Sequence, residues 1–394
     1  MIDRQQGIRL VRAIVAEERL RLMPDLARQD PAAGWTMTTR LDEDGLGFDS
    51  LARIELVTGL NRRFGLHLSG VEDYMLISPT LGDWSELLAE HFRRIGPDMP
   101  LTFHSSGSTG APKEVCHPLG ALTEEVEAHL AVSLPLLPGR ILSLVPPHHI
   151  YGFLFTVLLP ARLGCPVEDL AGCGPGALGR ALGAGDLAIG TPHLLSHALP
   201  FCAPAGPGGT GAAAITSTAP APAALWDMAR VAGLCGLAEI YGSSETAGVG
   251  WRTGPEETFR LLPHLAPGDP PCRRGVPLPL QDRLDWMAQG RFRVLGRCDG
   301  AIQIAGHNVH PARIADELAA HPLVAEAQAA FAKRAEAVTL LHLFYPELID
   351  WFADRLSTSA GVLDLMITVP ETWGEADLAR ARAAFPNAHL AIAE

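Results

Sequence analysis

The sequence lacks the features that indicate a membrane protein, a secreted protein or a structural metal site. No apolar run reaches the roughly 18 residues that a membrane-spanning helix needs, so we expect no membrane association. Met1 is followed by Asp3 and Arg4 rather than by an apolar signal segment, which argues against secretion. The seven cysteines are scattered, without a Cys-x-x-Cys pair or a Cys/His cluster. We therefore expect reduced thiols, no structural zinc and a cytoplasmic protein.

Positive charge is also scarce. The chain has 31 lysine and arginine residues against 44 aspartate and glutamate residues, a formal net charge of −13. This balance argues against non-specific binding to nucleic acid. Lysine occurs only at Lys113 and Lys333. In a chain with so few lysines, the presence of Lys113 at the end of a loop rich in glycine and serine indicates a functional role for it. With 394 residues, 47% of them hydrophobic, the chain should fold as two or three globular domains.

Lys113 ends a short loop of hydroxyl residues and glycines, which runs Ser105-Ser106-Gly107-Ser108-Thr109-Gly110-Ala111-Pro112. Glycines let backbone N–H groups turn towards an anion, and serine and threonine hydroxyls add donors. A lysine at the end supplies a positive charge for polyphosphate. The spacing is not that of the nucleotide-binding P-loop. Such a composition is also typical of a flexible solvent loop. Other segments of the chain are needed to distinguish a phosphate-binding loop from such a loop.

Further segments follow in a fixed order along the chain. They are Pro147-His148-His149-Ile150-Tyr151-Gly152, then Ile240-Tyr241-Gly242-Ser243-Ser244-Glu245-Thr246-Ala247-Gly248, then Phe292 to Asp299 with Ile302 to Pro311. With the loop, they resemble the AMP-forming adenylate ligases, the superfamily of acyl- and aryl-CoA synthetases, luciferases and peptide-synthetase adenylation domains. Four ordered motifs between residues 101 and 311 are hard to obtain by chance. The resemblance implies that a carboxylic acid and ATP give an acyl-adenylate, which then becomes a thioester.

The same resemblance implies a set of nucleotide-binding residues. The β- and γ-phosphates would be held by Ser106, Gly107, Ser108, Thr109, Gly110 and Lys113. Glu245 would bind Mg²⁺, and Ser244 or Thr246 would bond the α-phosphate. Tyr241 would stack on adenine, and Gly242 would also belong to the nucleotide-binding segment. Asp282, helped by Arg297, would accept the ribose hydroxyls, and Asp285 is the rival for that role.

The acid would bind beside a histidine and a turn of small residues. By resemblance, His149 would lie near the carboxylate of the acid, and the pocket would be lined by His149, Tyr151, Thr218 and Ala219. Lys113, His149 and Glu245 are thus the predicted catalytic residues. A histidine packed on an apolar element needs no catalytic role, and small residues at 218 and 219 could form an ordinary loop.

Residues 1–95 are expected to form a small all-α domain. Helical apolar spacing covers Gly7 to Leu26, a second helix starts at Asp49-Ser50 and stops at Gly65, and a third covers Leu81 to Phe92. The predicted buried face of the second helix is formed by Leu51, Ile54, Val57, Leu60 and Phe64.

The string from Leu41 to Leu51 resembles an acyl carrier protein, in which the serine of Asp-Ser-Leu carries phosphopantetheine. A carrier serine must lie at an exposed helix start, a condition that Ser50 would meet. The alternative is that Asp49 or Ser50 is simply an N-cap. Arg53, Arg62 and Arg63 make this helix more basic than typical carriers.

The expected fold is α/β with α+β parts: a layered adenylating core over residues 96–298 and a small C-terminal α+β lid over 299–394, preceded by the carrier-like helices. The lid would rotate about Asp299 between the two half-reactions. Family members carry a late lid lysine that contacts the carboxylate and α-phosphate, but here Glu375 occupies its place. Gln303 replaces a second lid lysine, and Arg380 is a candidate substitute.

The sequence therefore predicts an acid–thiol ligase that uses ATP, Mg²⁺ and coenzyme A or a carrier phosphopantetheine. The His-His-Ile-Tyr-Gly and Tyr-Gly-Ser-Ser-Glu-Thr segments look closest to compact bacterial ligases for aryl or acyl acids, among them 4-coumarate–CoA ligases. A hydroxycinnamate such as 4-coumarate is the expected acid. The alternative is a degenerate ligase fold that binds an acyl group or nucleotide, with Ser50 as its working residue.

Overall fold

The computed structural model describes residues 2–24, 32–105, 113–202, 209–255 and 258–298, and in the C-terminal part 302–304, 307–309, 338–342, 364–370, 375–384 and 389–393. The chain divides into two compact units. The first is Met1–Leu280 with Leu284–Leu295, and the second is Gln281–Arg283 with Gly296–Glu394.

The helices of the described residues lie mostly in the first unit. They are α1 Arg4–Leu22, α2 Ser50–Phe64, α3 Val71–Ile77, α4 Leu81–Ile95, α5 Leu119–Val132, α6 Ile150–Phe153, α7 Leu159–Leu163, α8 Gly176–Ala181, α9 Pro192–Ala198, α10 Ala223–Val231 and α11 Glu375–Ala384. A π-helical stretch, Leu154–Leu158, joins α6 to α7.

The strands are short, as expected for a layered fold. They are β1 Pro100–Ser105, β2 Lys113–Pro118, β3 Arg140–Ser143, β4 Val167–Asp169, β5 Asp186–Gly190, β6 Ala213–Thr216, β7 Gly236–Ser243, β8 Ala247–Arg252, β9 Phe259–Leu261, β10 Cys272–Arg273, β11 Val276–Pro277, β12 Asp282–Met287, β13 Arg291–Arg297, β14 Ile302–Ile304, β15 His307–Val309, β16 Val338–His342, β17 Asp364–Pro370 and β18 His389–Ala393.

The largest sheet in the described part of the chain has nine strands in the order β12-β13-β9-β8-β7-β6-β5-β3-β4. Strands β3 to β7 pair in parallel, and β8 and β9 extend the sheet antiparallel to them. The carboxyl ends of β5, β6 and β7 therefore meet at one edge, where ligands of open α/β sheets usually bind. The predicted α/β class is confirmed.

Strands β1 and β2 form a separate antiparallel hairpin. Its last pair joins Ser105 to Lys113. The hydroxyl- and glycine-rich loop is thus the connection of this hairpin, and Lys113 is the first residue of the returning strand.

The helices of residues 1–95 begin and end largely as the sequence predicts. The Asp49 carboxylate caps α2 by accepting from the Ala52 N–H at 2.8 Å, and Gly65 ends it in the left-handed conformation, with φ 62°. The predicted buried face of α2 is wrong in its first turn, because Leu51 is 66% and Ile54 is 50% exposed. Leu56, in the second turn, is the first buried residue of the helix.

These helices share one hydrophobic core with the layered part of the first unit. The cluster runs without a break from side chains of α1, α2 and α4 to Phe103, Phe153 and Ile215. The Phe92 and Phe153 rings stack with centroids 6.5 Å apart, and Phe103 lies edge-on to Phe153 at 5.6 Å. The separate domain at 1–95 stays a prediction.

Arg9 of α1 provides a buried polar link within this unit. Its Nε donates to the Asp169 carboxylate of β4 at 2.8 Å, and its guanidinium also donates to the Thr156 carbonyl in the π-helical stretch. Arg12 reaches the same carboxylate at 3.0 Å. Helix α1 is therefore held to the edge of the large sheet by directed bonds as well as by apolar packing.

The second unit contains the hairpin β14–β15 and a parallel sheet in the order β16-β17-β18. Helix α11 connects β17 to β18, forming a β-α-β unit. Among the described residues of both units, no helix is long and apolar enough to cross a membrane. All seven cysteines are free thiols.

Candidate active site

Strand β2 brings two predicted motifs together. Successive side chains on a strand point to alternate faces, so Lys113 and His117, four residues apart, lie on the same side of β2. The Lys113 Nζ lies 3.4 Å from the Glu245 Oε1, and the His117 Nε2–H donates to the Ser244 carbonyl at 2.7 Å. One face of β2 thus runs along the turn that follows β7.

This turn is compact and internally bonded. The Thr246 hydroxyl is buried, accepts from the Ser243 N–H at 3.0 Å and donates to the Ala247 carbonyl. A Cβ on Gly242 would stand 2.1 Å from the Ala247 carbonyl oxygen, so only glycine fits there. Of the two predicted α-phosphate ligands, Ser244 is partly exposed and Thr246 is engaged in the turn.

Glu245 projects from this turn with 13% of its side chain exposed, while Lys113 keeps 58% exposed. A carboxylate in this position, open on one side and flanked by hydroxyls, has the donor chemistry that Mg²⁺ prefers when phosphate oxygens complete its shell. The two predicted charged residues are therefore brought together, although 132 positions separate them in the chain.

Tyr241 lies on β7 within an aromatic cluster. Its ring centroid is 5.5 Å from those of both Phe259 and Phe292, and Phe292 contacts Trp286 at 5.1 Å. The contact with Phe292 is edge-to-face and that with Phe259 is tilted, and together they favour one orientation of the Tyr241 ring. Tyr241 is therefore a fixed platform beside the Glu245 turn.

The predicted acid-pocket turn begins where β6 ends. Ser217 donates to the Ile240 carbonyl at 2.8 Å, and the Ala221 N–H donates to the buried Glu239 carboxylate at 3.0 Å. Between these anchors, Thr218 is exposed and has φ 80°. A positive φ is unusual for a β-branched residue and tends to occur at functional sites. Ala219 follows it at the same sheet edge.

Tyr151, whose role in lining the acid pocket stays a prediction, is buried between the ends of two strands. Its hydroxyl is buried, 2.8 Å from the Ile215 carbonyl and 3.2 Å from the Gly190 carbonyl. Burial raises the pKa of Tyr151 well above its usual value. It therefore bonds the ends of β5 and β6 and locates His149 two residues earlier.

His149 belongs to a cluster that the sequence motifs did not reveal. Its ring contacts that of His148, with centroids 4.6 Å apart, and the His148 Nε2 lies 3.4 Å from the Glu17 Oε2. Arg63 donates to the same carboxylate at 2.8 Å. Helix α1 therefore contacts the pocket segment directly, and Arg63 of α2 holds the Glu17 carboxylate that makes this contact. No pattern in the sequence pairs Glu17 with His148.

The electrostatics of this cluster favour a neutral His149. Desolvation, with a smaller effect of His148, lowers the pKa of His149 to about 4. The hydrogen bond from His148, helped by Arg63, lowers the pKa of Glu17 to about 2. At neutral pH the Glu17 carboxylate is therefore charged and the His149 imidazole is uncharged.

Apart from Ser50 on α2 and Asp285 on β12, the remaining predicted residues lie in the second unit or outside the described residues. Asp282 is the first residue of β12, and Arg297 donates to the Gln281 Oε1 at 2.6 Å. Glu375 begins α11 and is exposed, as is Arg380 of the same helix. Ser106, Gly107, Ser108, Thr109, Gly110 and Asp299 lie outside the described residues, and their roles stay predictions.

Comparison of this chain with known proteins identifies a matching enzyme family and similar enzymes. Residues 93–282 match the family described as "AMP-binding enzyme". The 4-coumarate–CoA ligase of Rhodobacter capsulatus is 40% identical over 323 residues, which are 80% of this chain and 81% of that protein. The 4-coumarate–CoA ligase of Halorhodospira halophila is 37% identical over 336 residues, covering 82% of each chain.

A solved structure shows a similar fold at lower identity. A malonyl-CoA ligase in a ternary product complex, with methylmalonyl-CoA and AMP bound, matches with a TM-score of 0.52 and 20% identity. The match covers 71% of this chain and 73% of that one. At this identity the likeness is one of fold.

Proposed function

Because this chain belongs to the AMP-forming acid–CoA ligases of the AMP-binding enzyme family, we propose that its acid is a hydroxycinnamate such as 4-coumarate. The relatives that are 40% and 37% identical over about four fifths of the chain are 4-coumarate–CoA ligases, which supports this choice. A non-catalytic, degenerate ligase fold is not favoured by these relatives.

The observation that carries the assignment of the site is the contact between Lys113 and Glu245. Each residue comes from a different motif, and each has the charge that a magnesium–triphosphate group requires. Both flank the sheet edge where the Thr218 turn and the His149 segment also lie. We therefore assign the phosphates and metal to Lys113 and Glu245, and the acid to His149, Thr218 and Ala219.

The ligase reaction has two steps. A carboxylate oxygen of the acid forms a bond to the α-phosphorus of ATP as the bond to pyrophosphate breaks. The thiolate of CoA then attacks the acyl carbon, and AMP leaves as the thioester forms. Positioning and charge neutralisation are the main means of catalysing such a transfer. Lys113 would offset the negative charge of the departing pyrophosphate. His149, being neutral, would bond the acid without placing a positive charge near the magnesium ion.

Magnesium would neutralise phosphate charge when bound, and Glu245 is the residue proposed to hold it. A single carboxylate suits Mg²⁺, which keeps waters and takes phosphate oxygens. Ser244, the more exposed hydroxyl of the turn, is the proposed α-phosphate ligand, and Tyr241 the adenine platform. Asp282 and Arg297 are the proposed ribose contacts, and Arg380 the proposed substitute for the late lid lysine.

The test is ATP–pyrophosphate exchange over a panel of acids with Mg²⁺ present. We expect the fastest exchange with 4-coumarate, slower exchange with cinnamate, and thioester formation when CoA is added. Exchange with fatty acids alone would contradict the proposed substrate class. No exchange with any acid, from protein shown by melting to be folded, would contradict adenylation itself.

Ser50 is the proposed site of phosphopantetheine, which would make a carrier the thiol partner. The observation in its favour is that Asp49 caps α2, so the exposed Ser50 hydroxyl is not needed as the cap. The mass of the intact protein, measured after incubation with CoA and a phosphopantetheinyl transferase, tests whether Ser50 is modified. A Ser50-dependent mass gain is expected, and an unchanged mass would remove the proposal. The cytoplasm, which supplies ATP and CoA, is the proposed location.

A further inference from the structure

A fully buried carboxylate lies behind the Glu245 turn. Glu125, on α5, has no exposed surface. Its Oε1 accepts from the Gly248 N–H at 2.7 Å, and its Oε2 accepts from the Arg273 guanidinium at 3.1 Å. Burying an ionised carboxylate is costly unless it is paired and hydrogen-bonded. The burial of the Glu125 carboxylate therefore calls for a structural or functional reason. None of the predicted motifs includes Glu125.

Arg273 extends this contact to the turn itself. Its Nη2 also donates to the Thr246 carbonyl at 3.1 Å and lies 3.4 Å from the His264 Nε2. From the other side, His117 donates to the Ser244 carbonyl. Side chains from three separate elements thus bond the main chain at positions 244, 246 and 248, on both sides of Glu245.

The close approach at Gly248 adds a steric constraint. A Cβ at this position would stand 2.4 Å from the Glu125 Oε1. The Glu125 carboxylate therefore occupies the space of a side chain at 248 and pins the main chain just after the turn. Because it bonds both Gly248 of strand β8 and Arg273, a change at Glu125 is transmitted to the main chain at Gly248 and at the Thr246 carbonyl.

We propose that Glu125 is a positioning residue that, through Gly248 and Arg273, holds the Glu245 turn in the geometry that binds Mg·ATP. This proposal rests on the proposed assignment of Glu245 to the metal. Glu125 itself does not touch the nucleotide. Its loss weakens binding of Mg·ATP without altering binding of the acid, because the Thr218 turn is anchored independently by Ser217 and Glu239.

A second buried carboxylate provides a matched control. Asp186 accepts from the Gly183 N–H at 2.8 Å and pairs with Arg140 at 2.6 Å, with 5% of its side chain exposed. Like Glu125, it accepts from a backbone N–H and pairs with an arginine, whereas Glu125 in addition has the His129 Nε2 3.6 Å from its Oε1. Asp186 stands at the start of β5, the opposite sheet edge from the site. Asp186→Asn therefore reports the cost of neutralising a buried carboxylate away from the turn.

The experiment compares wild type, Glu125→Gln and Asp186→Asn by calorimetric binding of Mg·ATP, by KM values for ATP and acid in pyrophosphate exchange, and by melting. For Glu125→Gln we expect Kd and KM for ATP to rise at least about 10-fold, equivalent to about 1.4 kcal/mol, with the acid KM unchanged. For Asp186→Asn we expect wild-type binding and a lower melting temperature.

If Glu125→Gln does not fold, Arg273→Lys replaces it, because lysine keeps the charge but has a shorter side chain. Its Nζ therefore falls short of the position from which the Arg273 Nη2 bonds both Glu125 and the Thr246 carbonyl. If the Glu125 or Arg273 variant binds Mg·ATP as tightly as Asp186→Asn does, the positioning role is overturned. The proposed function is not affected by that result. A parallel rise in the acid KM would also overturn the positioning role. A wild-type protein that binds no Mg·ATP would overturn both this inference and the proposed function.

Discussion

Replacing Glu245 by glutamine is expected to lower acid-dependent ATP–pyrophosphate exchange about 100-fold or more, the usual effect of removing one electrostatic contact to a reacting group. The amide keeps the size of the side chain but cannot neutralise a metal ion or attract Lys113, whose Nζ lies 3.4 Å away. Exchange rate per folded molecule, measured against Mg²⁺ concentration, is the readout. We expect Lys113→Ala to cause a loss of similar size.

The control for this prediction is the next residue of the same strand. Glu114 lies on the opposite face of β2 from Lys113 and is exposed, 3.6 Å from His104. Glu114→Gln should therefore retain wild-type exchange. Because Lys113 and Glu245 act on the same group, the double variant should lose less than the product of the two single losses. Full activity in Glu245→Gln would remove Glu245 from the catalytic residues.

Replacing Arg9 by methionine is expected to lower the free energy of unfolding of the first unit by about 3 kcal/mol, the cost of breaking a buried ion pair by removing one partner. The methionine would fill the space but leave the buried Thr156 carbonyl without its donor and Asp169 with Arg12 alone. Urea unfolding followed by tryptophan fluorescence measures the change.

Arg4 on the same helix gives the comparison. It pairs with Glu86 at 3.1 Å, but both side chains are more than half exposed. Arg4→Met should change stability by less than about 0.5 kcal/mol, since exposed ion pairs contribute little. Equal effects of the two substitutions would show that α1 is held by apolar packing alone. A large effect confined to Arg9 would show that its bonds to Asp169 and Thr156 stabilise the packing of α1 against the sheet.

The sequence predicted best what is local in the chain. Asp49 and Gly65 bound α2 as expected because caps depend on neighbouring residues. The motif around Glu245 was recognisable because its residues are contiguous, although its contact with Lys113 required the fold. Thr218 was found by resemblance, while its positive φ could be seen only in the structure.

The long-range polar contacts could not be predicted. Glu125 and Arg273 are separated by 148 positions, and neither belongs to a recognisable pattern. The contact of Glu17 with His148 is of the same kind. The exposure of Leu51 and Ile54 was missed because helical periodicity gives the direction of the apolar face but not where the core begins.

The hairpin that carries Lys113 constrains the number of residues between this lysine and His117, not the content of the loop before it. Because Ser105 pairs with Lys113, and side chains alternate along β2, a one-residue insertion within the strand after Lys113 would turn the lysine to the face now used by Glu114. His117 would keep its bond to Ser244, but the lysine would no longer point at Glu245. Loop grafting between such enzymes should therefore preserve the spacing between this lysine and histidine, whatever the loop between the strands contains.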